Sequence, residues 1–411
     1  MRRLAWLAPF QVRGFRFQWP ADLLTSWASE MEALILGWYI LVETGSVLLL
    51  TVFGALQFLG TLIAPLMGVA GDRIGHRNVT FAMRTAYLLL AATLMALAFA
   101  HALSPLVVLV IVGLNGMVRP ADMGVRTALI AHTVPPDLLI GALSIARTTV
   151  DSARIAGALA GAGLVVAFGI GPAYVAVTSF YAAGALLTLG ITTPQPRQHA
   201  EAVTTRVASP WHDLKEGISY VLSTRGLHAA TWLAFLVNAT AYPVTNGLLP
   251  YVARDVYGTD QTGLGYLVAS FAAGALLGSI TLAVAAGRVR LQRVLIVSCT
   301  VWYAMLLVLA QTGGMTGGIL CLIVAGFVQS MSMVSLSGIL MHATDPRFRG
   351  RVMGVRMLAI YGLPFGLLGA GALVGRIGFA ATATIYAGIG LVLTLITAMR
   401  WRADARRAAG P

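Results

Sequence analysis

The sequence predicts an all-α membrane protein with twelve transmembrane helices in two pseudo-symmetric six-helix bundles. Three observations carry this. Apolar residues fill 58 % of the 411 positions and charged residues only 10 %. Soluble domains carry about a quarter charged residues, so this chain lacks the polar surface that a water-soluble fold needs. Apolar runs long enough to cross a bilayer recur from end to end, and features of the first half return in the second at matching offsets. The same composition excludes a disordered chain and a collagen-like fibre. The 45 glycines fit, because small residues let membrane helices approach closely.

A bilayer-spanning helix needs about 20 apolar residues. Such runs occupy 18–43, 47–71, 79–101, 104–133, 139–168, 171–192, 227–252, 261–286, 293–312, 316–342, 350–375 and 379–399, numbered here helix one to helix twelve. The connections are short except for 193–226. That stretch begins TTPQPRQHAEAVTTR, polar and proline-bearing. It continues as SPWHDLKEGISYVL, with Ser209 as N-cap and Trp211, Leu214, Ile218 and Leu222 at helical spacing. The expected organisation is therefore a bundle over 1–192, a cytoplasmic linker with a surface helix over 193–226, and a second bundle over 227–411.

Orientation follows from the arginines, which supply all but one of the 28 basic residues. Arg2, Arg3, Arg13 and Arg16 precede helix one, and Arg73 and Arg77 follow helix two. Arg197 and Arg206 sit in the linker. Arg288, Arg290 and Arg293 follow helix eight, Arg347, Arg349 and Arg351 follow helix ten, and Arg400, Arg402, Arg406 and Arg407 end the chain. With twelve spans all of these fall on one side, and the opposite loops hold only Arg254 and Arg376. Both termini are therefore expected in the cytoplasm, with the chain in the cytoplasmic membrane. The N-terminus lacks the h-region and cleavage site of a signal peptide, so no processing is expected. This placement also explains the net charge of +13 without nucleic acid as a partner.

The halves repeat. Gly71 and Arg77 after helix two match Gly287 and Arg293 after helix eight. In helix five, Gly141, Arg147, Gly157 and Gly161 have the same offsets as Gly350, Arg356, Gly366 and Ala370 in helix eleven. Two such matches imply homologous bundles related by a parallel repeat, the plan of a rocker-type transporter.

GVAGDRIGHRN, from Gly68 to Asn78, resembles the signature loop between helices two and three of the major facilitator superfamily, G-x-x-x-D-R-x-G-R-R/K. Gly68, Asp72, Arg73, Gly75 and Arg77 match it, and His76 stands where an arginine is usual. Within that family the chain is similar to the bacterial efflux branch that includes macrolide and siderophore exporters. The matching pieces are ETGS at Glu43–Ser46, ARIAGALAG at Ala153–Gly161, WHDLKEGISYV at Trp211–Val221 and FRGRVMG at Phe348–Gly354. Two features depart from the family pattern. Gly157-Ala158-Leu159-Ala160-Gly161 keeps the glycine spacing of the antiporter motif G-P-x-x-G without its proline. The helix-four arginine common in drug/proton antiporters would fall near Val112, with Arg119 two turns further on. The resemblance implies a gating latch. Asp72 would hold the positive N-terminus of helix eleven. Arg73 and Arg77 would pair with an acid at the end of helix four, for which Asp122, with Arg126 as its i+4 partner, is the candidate. Such contacts would hold the outward-facing state.

Ionisable groups at membrane depth are costly, so they face a cavity or a partner. Helix one carries Glu30 and Glu32, helix four Arg119, and helix five Arg147, Asp151 and Arg154. Glu30 and Glu32 cannot share a face, since two residues turn about 200°. Asp22, Ser26 and Glu30 form one polar stripe; Thr25, Ser29 and Glu32 form another. Glu30 is expected to face the cavity, near Arg119. A carboxyl that alternates between an apolar setting and an arginine binds and releases a proton, so Glu30, Glu32, Arg119 and Asp151 are the candidates for proton coupling. Asp151, between Arg147 and Arg154, is expected to be held structurally. Gly157, Gly161 and Gly163 are spaced for packing against another helix.

The second bundle offers an uncharged surface. Helix seven places Asn238, Tyr242 and Asn246 at i, i+4 and i+8, with Pro243 able to break it, and helix ten adds Gln329, Met331, Met333 and Ser335. Of these, Asn238, Tyr242, Asn246, Gln329 and Met333 are the expected substrate contacts, suited to a large, mostly apolar molecule. No HExxH, Walker loop or paired metal ligands occur, and Cys299 and Cys321 lie apart in apolar runs. The expectation is no enzyme and no cofactor, but a monomeric transporter exporting amphipathic small molecules against protons. Uptake by symport and lipid flipping share the fold. Cysteines introduced as Ser104→Cys and Ala202→Cys should label from opposite sides of the membrane, outside and inside respectively. Labelling of both from one side would overturn the twelve-span topology.

Overall fold

A computed structural model of the chain describes residues 5–62, 64–192, 210–285, 289–345 and 348–408. The linker 193–209, with Ser209 and Ala202, lies outside them, as do Arg288 and Arg347. The described residues form helices and no strand. Nine of those helices are long and apolar enough to cross a membrane. The three other spans are present in altered form. Helix one is a continuous Arg13–Thr44 whose hydropathy is diluted by its acids and hydroxyls. Helix two is Val47–Leu56, a 3-10 turn at Leu59–Leu62, and Ala64–Ile74. Helix seven starts as Arg225–Thr240 and then breaks where Pro243 removes a donor. Two π-turns follow, Pro243–Gly247 and Val252–Val256, closed by Leu248 N–H on Pro243 O at 3.0 Å and Tyr257 N–H on Val252 O at 2.9 Å.

The remaining helices lie close to the expected spans. They are His76–Phe99, Pro105–Thr133, Pro136–Phe168, Ile170–Leu189, Gln261–Val284, Leu291–Gln311 and Met315–Ala343. Helix eleven begins as Arg349–Ala359 and resumes at Gly362. Gly378, at φ 79°, separates it from helix twelve, Phe379–Trp401. The chain divides into two compact units. One comprises Met1–Leu49, Leu56–Glu201 and Thr259–Ala269; the other comprises Leu50–Ala55, Ala202–Gly258 and Ser270–Pro411.

Helix one is the hub of the first unit. Helix five lies against it through two glycines: a Cβ on Gly157 would sit 2.9 Å from Glu30 Cβ, and one on Gly161 would sit 3.0 Å from Met31 Cα. Helix six approaches through Gly184, beside Thr25 Oγ1, and Gly190, beside the Phe17 ring. Trp19 Nε1 donates to Thr149 Oγ1 at 2.9 Å, tying helices one and five again. Gly163, expected to join this packing, instead faces open space.

The second unit repeats the scheme. Helix eleven meets helix seven through Gly362, beside Phe235 O, and Gly366, beside Ala239 O. Helices two and four pack reciprocally through Gly60 and Gly116, and helices eight and ten do so through Gly274 and Gly326. The surface helix, Pro210–Ser223, rests on the start of helix eleven. Arg351 Nη1 is 3.2 Å from Glu216 Oε2, Tyr220 stacks on Phe348 at 4.3 Å, and Asp345 N–H donates to Tyr220 Oη.

Close packing of helix five on helix one predicts an asymmetry. Gly157→Leu should destabilise the protein by about 1–3 kcal/mol through overpacking, while Gly163→Leu leaves its melting temperature in detergent unchanged. Equal effects would mean that the two helices are not in close contact.

Candidate functional site

The first unit contains a cavity of about 160 Å³. Helix one lines it with Thr25, Ser26, Ser29 and Glu30, helix three with Tyr87, and helix four with Asn115, Arg119, Asp122, Met123 and Arg126. Val150 of helix five and Tyr181 of helix six complete the wall. Close approach at Gly157 brings Glu30 within reach of Arg154, one turn earlier on helix five, whose Nε is 3.9 Å from Glu30 Oε2. Glu32 is not itself on the cavity wall, although its two partners, Asn115 and Tyr181, are. It is buried, and its Oε2 accepts from Asn115 Nδ2 at 3.2 Å and from Tyr181 OH at 3.0 Å.

Glu30 and Arg119 line the same cavity, and among the described residues they form no ion pair with each other. Arg119 instead donates from Nη1 to Gln57 Oε1 on helix two at 2.7 Å and has no ion pair among the described residues. Arg154 stands on the helix packed directly against Glu30, while Arg119 is turned toward the adjoining helix two. Asp151 is buried and pairs with Arg147 at 3.2 Å. It is not among the residues lining the cavity.

At the N-terminal end of helix one lies a denser network. Arg84 of helix three is fully buried and pairs with Asp22, while also donating to Thr188 Oγ1 and Gly184 O of helix six. Arg126 pairs with Asp122 at 2.5 Å, approaches Asp22 to 3.9 Å, and donates to Ser26 Oγ at 3.1 Å. Sequence reasoning misses Arg84. Only two turns separate it from Arg77, so it blends with the arginines that mark the membrane boundary. The available signal is its position inside the apolar run of helix three, opposite an acid at equivalent depth on helix one.

A family model described as Major Facilitator Superfamily matches residues 19–363 and 231–411. The chain belongs to the Major Facilitator Superfamily. It is thus a multi-pass membrane transporter of small molecules. No curated protein matches the sequence. Among solved structures, the chain is similar to the nucleoside transporter NupG (TM-score 0.70, 16 % identity, covering 94 % of this chain and 99 % of that one). The POT family transporter PepTSo gives a TM-score of 0.75 at 11 % identity, covering 95 % and 98 %. A D-xylose-proton symporter gives 0.70 at 12 %, covering 93 % and 96 %. These likenesses are in fold.

The superfamily loop motif lies at the junction of helices two and three. Gly68 is within Ala64–Ile74, and Gly75, at φ 92°, makes the turn that only glycine adopts without strain. The side chain of Asp72 lies outside the described ones. Arg73 is exposed and Arg77 half-exposed, and among the described residues neither pairs with Asp122, whose carboxylate is held by Arg126. His76, in the arginine position of the superfamily motif, stacks on His132 with ring centres 4.8 Å apart.

The uncharged set of the second unit is engaged partly with itself. Asn238 is buried and donates to Ala234 O on its own helix at 2.8 Å. Gln329 donates to the Tyr242 hydroxyl, joining helices ten and seven. Met333 is half-buried, and Asn246, beyond the break at Pro243, is exposed, so the i, i+8 register with Asn238 is lost.

Breaking a buried ion pair by removing one partner costs about 3–5 kcal/mol, whereas replacing both with apolar groups is far milder. Asp22→Asn should therefore lower the melting temperature more than the double variant Asp22→Leu with Arg84→Met. The reverse order would show that Arg84 is stabilised mainly by Thr188 and the helix-six carbonyl.

Proposed function

We propose that this protein exports amphipathic small molecules, drug-, macrolide- or siderophore-like, by proton antiport across the cytoplasmic membrane, with both termini inside. It works as a monomer by rocker-switch alternating access. Glu30 is the proton carrier. The observation that carries the reading is the placement of Glu30: on a polar cavity wall, partly exposed, with one cation among the described residues at the outer limit of ion-pair distance. Such a carboxylate can take up a proton from the cavity and, once it has given that proton back, pair with Arg154, so that no bare charge is left in the bilayer. Glu32 and Asp151, held by fixed partners, are positioned for structure more than for exchange. The loop motif around Asp72 serves as the latch between conformations, and the face bearing Tyr242, Asn246, Gln329 and Met333 receives the apolar part of the substrate.

In proteoliposomes, Glu30→Gln should abolish uphill efflux while sparing substrate binding and downhill exchange. Glu32→Gln should do less. Normal pumping by Glu30→Gln would sink the assignment, and a dead Glu32→Gln alongside it would move the proton to the other face of helix one.

A further inference from the structure

Ten ionisable side chains sit roughly two turns or more inside the helices of the first unit. Five are acids, Asp22, Glu30, Glu32, Asp122 and Asp151; five are arginines, Arg84, Arg119, Arg126, Arg147 and Arg154. Among the described residues eight of the ten are in ion pairs: Asp22 with Arg84 and Arg126, Asp122 with Arg126, Asp151 with Arg147, and Glu30 with Arg154. The remaining two, Glu32 and Arg119, are not. Glu32 is held by the neutral Asn115 and Tyr181, and Arg119 by the neutral amide of Gln57. Glu32 is buried, so its binding capacity is taken up within the protein. Arg119 lines the cavity, half-exposed, with one guanidinium nitrogen engaged. The Arg119 guanidinium, a planar fork of N–H donors that faces the cavity and is paired with no carboxylate among the described residues, matches a carboxylate or another planar oxyanion.

We propose that Arg119 docks an anionic group of the transported molecule, so that the substrate is a zwitterionic amphiphile whose cationic end faces Glu30. Both charges are required by the wall. A purely anionic head would meet the Glu30 carboxylate across the same cavity, and a purely cationic one would meet Arg119. An ammonium at Glu30 takes the place of the proton, which keeps the sign of antiport. The cavity volume sets the size of the head. About 160 Å³ is room for roughly five waters, enough for a charged headgroup and too small for a whole macrolide. The apolar remainder must therefore lie outside this cavity. The proposal rests on this cavity being the coupling site.

The test is equilibrium binding to the full-length protein in detergent, without a gradient, so that it is independent of the efflux assay of Glu30→Gln. The probes are 3-(2-naphthyl)alanine, its methyl ester and its N-acetyl derivative, which share one apolar body and present a zwitterion, a cation and an anion. The zwitterion should bind the wild type about tenfold more tightly than either derivative, as a charge-assisted hydrogen-bonded contact gives. Arg119→Gln should bring the zwitterion down to the level of the ester. Gln57→Leu, which removes the neutral tie, should keep the preference or strengthen it. Arg119→Lys, which keeps the charge and loses the fork, should retain part of it, and serves if Arg119→Gln does not fold. No binding of the zwitterion, equal or tighter binding of the ester to the wild type, or a preference that survives Arg119→Gln would overturn the proposal. If the preference holds while Glu30→Gln still pumps uphill, the anion site stands and the coupling residue is elsewhere.

Discussion

Moving an ionised side chain from water into hydrocarbon costs a few kcal/mol or more, and that cost organises the first bundle. The five acids and five arginines set well inside its helices are equal in number, and most are paired with one another. Two of the pairs join different helices and fix a relation that apolar packing alone would leave free to slide. Asp22 with Arg84 sets helix one against helix three, and Glu30 with Arg154 sets helix one against helix five. The Asp122–Arg126 pair lies along helix four, and Arg126 also reaches back to Ser26 of helix one. Helix one is held by charge on several sides, which is why its low hydropathy does not prevent it from spanning.

Charge pairing across helices requires close backbones, and glycine provides them. Gly157 and Gly161 let helix five approach until Glu30 Cβ and Met31 Cα are in van der Waals contact with its backbone. A side chain at Gly157 would push the helices apart and lengthen a Glu30–Arg154 separation that is already 3.9 Å. Packing and electrostatics are thus coupled at this point: the small residue is the condition for the ion pair. The same glycine scheme joins helix eleven to helix seven, where Ala239 O takes the place held by Glu30 and no charge is present. The repeat preserves the packing solution and drops the chemistry, so the internal symmetry of the fold does not extend to the titratable groups.

The spans were legible in the sequence because hydropathy and boundary arginines are local signals. Helix one was legible despite its polarity, and Pro243 marked the break in helix seven, although not the two π-turns that follow it. The glycine offsets identified the repeat, and Gly157 and Gly161 pack as their spacing suggests, but Gly163 showed that spacing alone does not say which glycines face a neighbour. The partners of charges were much less legible. Arg119 matched Glu30 in depth along the chain, yet depth carries no information about azimuth: Arg154 comes within 3.9 Å of Glu30 from the helix packed against it at Gly157, while Arg119 turns to Gln57. Arg84 was hidden by its nearness to the boundary arginines. WHDLKEGISYV and FRGRVMG, lying far apart in sequence, meet as the surface helix and the start of helix eleven through Glu216–Arg351 and Tyr220–Phe348. Nothing in either piece alone signals that contact.

That docking bears on how helix eleven begins. Helix eleven begins at the end where the surface helix rests, and Gly217 leaves no room for a side chain above Arg351. The stacked rings, the ion pair and the Asp345 N–H bond all engage the first turn or the residues just before it. Helix eleven is interrupted between Ala359 and Gly362, a short way further along. The clamped segment and the rest of the helix are joined by a tighter turn, closed by Ile360 N–H on Met357 O at 3.1 Å, Tyr361 N–H on Leu358 O at 3.0 Å and Leu363 N–H on Ile360 O at 2.9 Å. Val352, Val355 and Ala359 of the first segment are buried, so the stretch that carries the surface helix also belongs to the core of the second unit.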